Sequence, residues 1–421
     1  MFKNSVLLLL LSFSFYTHAQ QELVSDIKVQ GNKRLKSSFV RLISDLKPGA
    51  VLDSTVMESD IVRLKRLPAV SHAYFQVFPS QDANRYNVFY NIEENFTINP
   101  QLNVYTTNDD EFAYRVGLYE FNTLGRNIAF GGFYQRDIFD SFGINVRAPF
   151  LFNNKIGLAF NFQDLTTQEP VFLDQGTADY RYNNTSYEIL GLYSFNFRHR
   201  IEAGITLFNE EYQFLFGATA ADVPTEFNVD KRLLKFVYEY NDLDYYYQYV
   251  SGFKSTLNVQ QVTANDDTLP DFVIWWNDFQ YFLKVGEKGN WANRLRFGLA
   301  TNANSPFAPF SVDNNLNVRG VGNTIDRGTG VIVLNTEYRY TFIDKEWFAF
   351  QGNTFIDAGS WRNPGGDFGD FGDDQNVRVY PGLGLRFIHK KIFNATFRID
   401  YGYGVTPNST NGFVFGIGQY F

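Results

Sequence analysis

From about Thr97 to Phe421 the sequence alternates apolar and polar residues, in short segments broken by Asn, Asp and Gly. A period of two belongs to β-strands with two unlike faces, and no helix sustains it. We count about sixteen such segments, at the ~20-residue spacing of one strand plus its turn. The clearest lie late in the chain. In Val377–Phe387 the residues Val377, Val379, Leu383, Leu385 and Phe387 face one way, and Arg378, Tyr380, Gly382, Gly384 and Arg386 the other. Ala395, Phe397, Ile399 and Tyr401 likewise oppose Thr396, Arg398, Asp400 and Gly402, while Ile332, Leu334, Tyr338 and Tyr340 oppose Asn335, Glu337 and Arg339.

Alternation does not orient the faces, because a soluble sandwich shows the same pattern with its apolar side inward. Composition does. The chain holds 45 Phe and 26 Tyr among 421 residues, yet its mean hydropathy is only −0.25. A membrane barrel accounts for both values: lipid-facing residues alternate with polar lumen residues, and aromatic girdles mark the two interfaces. No later segment has the ~20 apolar residues of a helical span, which leaves a closed barrel as the means of crossing lipid. The closing segment puts Phe413, Phe415, Ile417 and Phe421 on one expected face, an adhesive patch in water but an acceptable one in lipid. The expected fold is mainly β, an antiparallel transmembrane β-barrel of about sixteen strands over residues 97–421.

Two different segments precede it. Residues 1–19 read as a signal peptide, with Lys3 before the run Val6–Leu11 and Thr17-His18-Ala19 as the cleavage site, so the mature chain is expected to start at Gln20. Residues 22–95 are richer in Lys, Arg and Leu and read as β-α-α-β-β. Ile27 and Val29 alternate in a strand ended by Gly31-Asn32; Phe39, Leu42, Ile43 and Leu46 have helical spacing; a second helix opens near Asp53 or Ser54 and buries Ile61 and Leu64. Strands Ala73–Pro79 and Tyr86–Glu93 close the unit. Its Ile27-x-Val29-x-Gly31-Asn32 opening and its Leu64, Leu67, Val70 stretch resemble a POTRA domain. That resemblance implies a periplasmic module that offers a sheet edge to partners; an inert α+β spacer is the alternative.

One constellation within the barrel region stands out. Asn317-Val318-Arg319-Gly320-Val321-Gly322 lies in a long connection between strands, followed by Glu337 on one strand and Phe355-Ile356-Asp357-Ala358-Gly359 on the next. If Ile356 meets lipid, Asp357 points inward. A connection folded into the lumen would then bring the Arg319 guanidinium to Asp357 or Glu337, with Gly320 permitting the tight turn. An ordinary exposed turn is the alternative for Val318-Arg319-Gly320. The arrangement resembles the barrel of the BamA/TamA-type outer-membrane assembly factors and their two-partner-secretion relatives, in which a V-R-G loop contacts an F-x-D-x-G strand. Asn122–Arg126, Arg147–Phe150 and Arg398-Ile399-Asp400 agree with it. Val321 departs from it, standing where the family usually has an aromatic, and only one POTRA-like unit is present.

The resemblance implies an outer-membrane protein with its POTRA-like domain in the periplasm. Its clients would be unfolded outer-membrane or secreted polypeptides, with periplasmic accessory proteins as possible helpers. It implies a lateral seam between the first and last strands, weakened by Pro100, Gly416 and Gly418, and a C-terminal β-signal at Phe413, Phe415, Ile417 and Phe421. A dedicated transporter for one partner polypeptide is a second reading, and a structural or adhesive surface barrel a third.

Other classes find little support. A net charge of −8 offers no footprint for nucleic acid. With no cysteine there is no disulfide or thiolate chemistry. His18, His72, His199 and His389 are scattered, so neither metal nor catalytic spacing appears, and no cofactor is expected. The Gly- and Asp-rich stretch 362–374 reads as an exposed loop, without the ordered ligand spacing of a calcium loop. No nucleophile elbow or acid–base pair stands out, so no enzyme is expected.

Overall fold

A computed structural model of the chain describes residues 21–106, 112–136, 138–173, 175–221, 223–305, 308–312, 317–321 and 326–421. The expected signal segment lies outside them. The first unit is β1 (Leu23–Gln30), α1 (Ser37–Ile43), α2 (Ser54–Lys65), β2 (Val70–Pro79) and β3 (Arg85–Glu94). Its sheet has the order β1-β3-β2, with β1 parallel and β2 antiparallel to β3. Asp53 caps α2 by accepting from the Thr55 N–H at 2.8 Å, satisfying one of the free amides of the first turn. Ile27, Phe39, Val40, Ile43, Ile61, Leu64, Val88 and Tyr90 form the core between helices and sheet.

Helix α1 stops before Leu46, which helical spacing had placed on it. Leu46 is buried nonetheless, because the Asp60 carboxylate of α2 accepts from the N–H groups of Asp45 (2.7 Å) and Leu46 (3.1 Å) and draws the segment inward. The Tyr90 hydroxyl donates to the same carboxylate at 2.8 Å. Burial pushes the Asp60 carboxyl above its ordinary value, against the pull of these donors and of Arg63. Replacing Asp60 by Ala strands two buried donors, the Leu46 N–H and the Tyr90 hydroxyl, and the part-buried Asp45 N–H, at about 1–3 kcal/mol for each buried one, less what water recovers. We expect Asp60→Ala to lower the urea midpoint of this unit, read by tyrosine fluorescence, while barrel unfolding is unmoved; an unchanged midpoint contradicts the assignment.

Sixteen long antiparallel strands follow, from the first (Ile98–Thr106) to the sixteenth (Asn411–Ile417), and close into a barrel. They differ in length. The fifth to seventh (Ile156–Leu173, Gly176–Ser194, His199–Gly217) run 18 or 19 residues, whereas the first has nine and the last seven. The outward rows are apolar and exposed, as with Ile356 (48%), Leu383 (69%) and Phe413 (61%), and the rows between them, including Asn335, Glu337, Asp357 and Arg386, are buried. Only lipid makes such an outer surface stable, because in water it would be one continuous adhesive belt. No helix among the described residues is long and apolar enough to cross a membrane.

The first unit docks on one end of the barrel. Arg66 at the end of α2 donates to the carbonyls of Leu243 (2.7 Å), Asn241 (2.8 Å) and Phe197 (3.1 Å). Lys65 pairs with Asp244 at 2.5 Å, Arg34 pairs with Glu120 at 2.6 Å, and His72 stacks on Tyr247. These partners lie on or beside the short turns between even-numbered strands and the strands that follow. The turn between the eighth (Glu226–Asn241) and ninth (Tyr249–Ala264) strands carries a three-residue strand, Asp244–Tyr246, and reaches across the lumen. There the Tyr249 hydroxyl donates to Thr341 at 3.1 Å and Gln248 to Asp344 at 2.9 Å.

Candidate functional site: a buried arginine clamp in the lumen

The connection between the eleventh (Gly289–Ala300) and twelfth (Gly330–Asp344) strands enters the barrel from the end opposite the docked unit. Its base is a two-strand ribbon, Phe310–Val312 against Asp326–Gly328. Val312, Val318 and Val321 then pack with Val331, Val333, Trp361 and Tyr380 in an apolar cluster inside the lumen. Val321 is buried within that cluster, and its backbone oxygen accepts from the Thr410 hydroxyl at 2.6 Å.

Arg319 sits at the tip and is completely buried. Its Nε and Nη2 donate to the two oxygens of Asp357 at 2.7 and 2.9 Å, a bidentate pair, and its backbone N–H adds a third bond at 3.0 Å. Nη1 donates to Glu337 at 2.7 Å and lies 3.5 Å from Asp400. The face of the guanidinium is covered by the Phe355 ring at 3.7 Å and flanked by Tyr420 at 4.6 Å. Asp357 and Phe355 come from the thirteenth strand (Phe348–Arg362), Glu337 from the twelfth and Asp400 from the fifteenth (Thr396–Tyr403), so one side chain ties the loop to three strands.

Gly320 has φ +101°, in the region that favours glycine, and a Cβ there would sit 2.8 Å from Gly402 and Tyr380. Gly402 is the complementary contact: a Cβ on it would lie 2.4 Å from the Arg319 carbonyl oxygen. The loop backbone therefore lies directly on the wall of the fifteenth strand. Asn317 anchors the other side, donating to the Ser311 carbonyl at 2.7 Å and accepting from Arg294 and Arg296, while Asn335 donates to the Asn317 carbonyl at 2.8 Å.

The residues expected to meet, Arg319 with Asp357 or Glu337, are in contact, and Arg319 engages both carboxylates. Three further members of the cluster were not assigned to it. Arg339 and Arg386 also bind Glu337, the latter at 2.8 Å, and Asp400 accepts from Arg398 at 3.3 Å and from Asn353 at 3.2 Å. Their inward face is visible in the alternation, but their common partner is set by neighbouring strands that only the closed sheet brings together.

Of the C-terminal residues, Phe413 and Phe415 are outward and exposed, with Ile417 in the same row. Phe421 is not in that row, contrary to expectation. The last strand ends at Ile417, and Gly418 with φ +100° turns the chain into the lumen. There Tyr420 is buried 4.6 Å from Arg319 and 4.9 Å from Arg398, Gln419 accepts from Arg386, and the Phe421 ring lies 6.5 Å from Phe282. A Cβ on Gly416 would meet the Arg398 guanidinium at 2.8 Å, so this glycine faces inward beneath that side chain.

Pro100 lies on the first strand opposite Leu118 of the second. At the docked end, closure across the seam passes beneath the last strand: Phe96 donates to the Lys391 carbonyl at 2.8 Å and accepts from Phe393 at 2.9 Å, and Asn99 donates to the Phe393 carbonyl at 2.7 Å. The Phe121 ring packs on Phe393 at 4.8 Å.

Comparison with known proteins agrees with this architecture. Residues 23–95 match the family model described as POTRA, surface antigen variable number repeat. No curated protein matches the sequence. Solved structures share the fold: BamA from Haemophilus ducreyi lacking POTRA domains 1–3 aligns with TM-score 0.56 at 15% identity, covering 94% of this chain and 84% of that one. CdiB from Acinetobacter baumannii aligns with TM-score 0.61 at 17% identity, covering 95% and 74%. CdiB from Escherichia coli gives 0.63 at 11%, covering 94% and 76%. The chain therefore combines one N-terminal POTRA-like domain with a barrel of the BamA and CdiB fold.

Proposed function

We propose that this protein resides in a bacterial outer membrane, with its POTRA-like domain in the periplasm, and assembles or inserts polypeptide clients there. The observation that carries the reading is the clamp: a buried Arg319 holding a folded-in loop against Asp357 and Glu337. An inert barrel has no use for so costly an arrangement, since buried charges stabilise little beyond what an apolar core supplies. A clamp does serve a wall that has to stay in register while another part of the barrel moves.

The mobile part is the seam. Its last strand has only seven residues, contains Gly416, and ends at the turn on Gly418. Separation of the first and last strands would expose a row of unpaired N–H and C=O groups, a template onto which an incoming strand can pair. The sheet of the POTRA-like domain, with β1 and β2 at its edges, would hold the client below, together with accessory periplasmic proteins. Alternation and register would do the work, with no covalent chemistry.

A dedicated transporter is the second reading, favoured by the lumen itself. A cavity of about 760 Å³ lies against the fifth to tenth (Phe272–Val285) strands, lined by Asn161, Tyr182, Asn184, Glu188, Tyr212 and Lys231 among others. Quantitative proteomics of outer membranes after depletion in the native host separates the readings. Broad loss of many barrels is the expected result. Loss or periplasmic retention of one protein would move the assignment to the transporter, and an unchanged profile would overturn both.

A further inference from the structure

The lumen cavity of about 760 Å³ falls within the ~300–1,000 Å³ of small-molecule sites. It lies at the end of the barrel opposite the docked unit. Pro224, Leu269 and Pro270 line it from the connections that precede the eighth and tenth strands, and Asn302, Ser305 and Ala308 from the connection that carries Arg319. Lumen-facing rows of a membrane barrel are ordinarily polar, yet here neighbouring strands turn rings inward. Tyr182 of the sixth strand lies 4.7 Å from Tyr212 of the seventh, which lies 6.4 Å from Phe227 of the eighth. Phe208 and Phe272 line the same space. The wall therefore carries a strip of aromatic faces.

The charges on this wall cancel. Three carboxylates and three cations line the cavity and pair one to one: Lys235 with Glu188 at 2.9 Å, Lys231 with Glu210, and Arg327 with Glu169. Among the described lining residues no formal charge is left over for an ionic ligand. The remaining polar groups are amides and hydroxyls, such as Gln163, Asn184, Ser186 and Gln260. Two buried atoms of the lumen connection have no hydrogen-bond partner among the described residues: Oδ1 of Asn302, an acceptor, and Nε of Arg327, a donor. Such atoms cost free energy until a partner reaches them, and a hydroxyl, which both donates and accepts, satisfies either. A polypeptide strand is less well served. At Tyr182 and Tyr212 the backbone is paired on both sides, so the strip of rings offers no sheet edge to add to.

We propose that this cavity is a binding site for a short, uncharged oligosaccharide. A sugar ring has an apolar C–H face that lies on an aromatic ring, and a rim of hydroxyls that bond amides, carboxylates and an unpaired donor or acceptor alike. Both halves of that chemistry are present, on one wall. The one-to-one ion pairs select against acidic sugars, whose carboxylate would be buried there without a counter-ion. The inference goes beyond the assembly reading and takes from it only the orientation. With the POTRA-like domain in the periplasm, this end of the lumen faces outward, where surface and environmental sugars are met. It does not require the seam to open.

The test uses the full-length mature protein in lipid nanodiscs, titrated calorimetrically with neutral trisaccharides of glucose, galactose, mannose and N-acetylglucosamine. At least one should bind saturably with a Kd below about 1 mM. The same trisaccharide with one ring replaced by its uronic acid should bind about tenfold more weakly. Phe227→Ala should also weaken binding about tenfold, the loss of one ring face, while the folded protein migrates as before on an unheated gel. If that variant does not fold, Asn302→Ala, which lies outside the barrel strands, replaces it with an expected loss of about fivefold, the worth of one hydrogen bond. A neutral glycolipid bearing the bound trisaccharide, placed in the nanodisc, identifies the source. Competition with the free sugar makes the ligand a membrane glycan, and lack of competition makes it a free saccharide. Absence of binding by every neutral trisaccharide, equal binding of the acidic one, or binding unmoved by the substitution overturns the inference. Binding of an extended neutral peptide in place of every sugar also overturns it and gives the cavity to a chain in transit. No client assembly enters these measurements, so their failure leaves the assembly reading to the depletion experiment.

Discussion

Arg319→Ala is expected to free the lumen loop while the barrel stays closed. The substitution removes five contacts at once: the bidentate bonds to Asp357, the bond to Glu337, and the faces of Phe355 and Tyr420. It also leaves Asp357 buried without its counter-ion. Breaking a buried pair from one side costs about 3–5 kcal/mol, more than the valine contacts of a short loop restore. The barrel itself keeps its ladders, so the folded form should still run faster than the heated form on a gel. Protease cleavage within residues 301–329 should rise by at least an order of magnitude, the size of effect a change of 3 kcal/mol permits. Client assembly should fall with it. Unchanged cleavage together with unchanged client handling would remove Arg319 from the mechanism.

Gly402→Val should produce the same release by a different route. All the charges remain, but the new Cβ would lie 2.4 Å from the Arg319 carbonyl and 2.9 Å from the Gly320 Cα, both backbone atoms that cannot swing aside. Overpacking a tight contact costs about 1–3 kcal/mol where neighbours can shift, and here the easier shift is for the loop to leave. Loop cleavage should therefore rise as in Arg319→Ala, and combining the two changes should add little, because either one already vacates the site. Additive effects would show that Gly402 acts on the strand and not on the loop.

Much of this is legible in the sequence. The alternation from Val377 to Phe387 assigns Leu383 and Leu385 to lipid and Tyr380 and Arg386 to the lumen, because a two-residue period leaves no other choice once one face is buried. Phe355, Asp357 and Gly359 fall on one face for the same reason, which is why the partners of Arg319 could be named from spacing. Asp400, Arg339 and Arg386 were readable as inward residues but not as members of one cluster. Their meeting depends on which strands become neighbours of the loop, and no local pattern encodes that. Phe421 shows the other limit. Its parity with Phe413 and Phe415 is correct only while the strand continues, and a single positive φ at Gly418 sends the last residues across the barrel. Leu46 failed as a helical residue in the same way: the Asp60 carboxylate, distant in sequence, decides where it packs.

The account stands on the seam opening, and a reversible staple tests that directly. Phe96, before the first strand, bridges Ile392 in the turn between the fourteenth (Val377–His389) and fifteenth strands, past the end of the short last strand, so Phe96→Cys with Ile392→Cys places two thiols across the seam in an otherwise cysteine-free chain. Assembly of a model barrel client into liposomes holding the double variant is then measured oxidised and after reduction. The account predicts little assembly in the oxidised state and recovery to the unsubstituted rate on adding reductant. Full activity with the staple closed would contradict it.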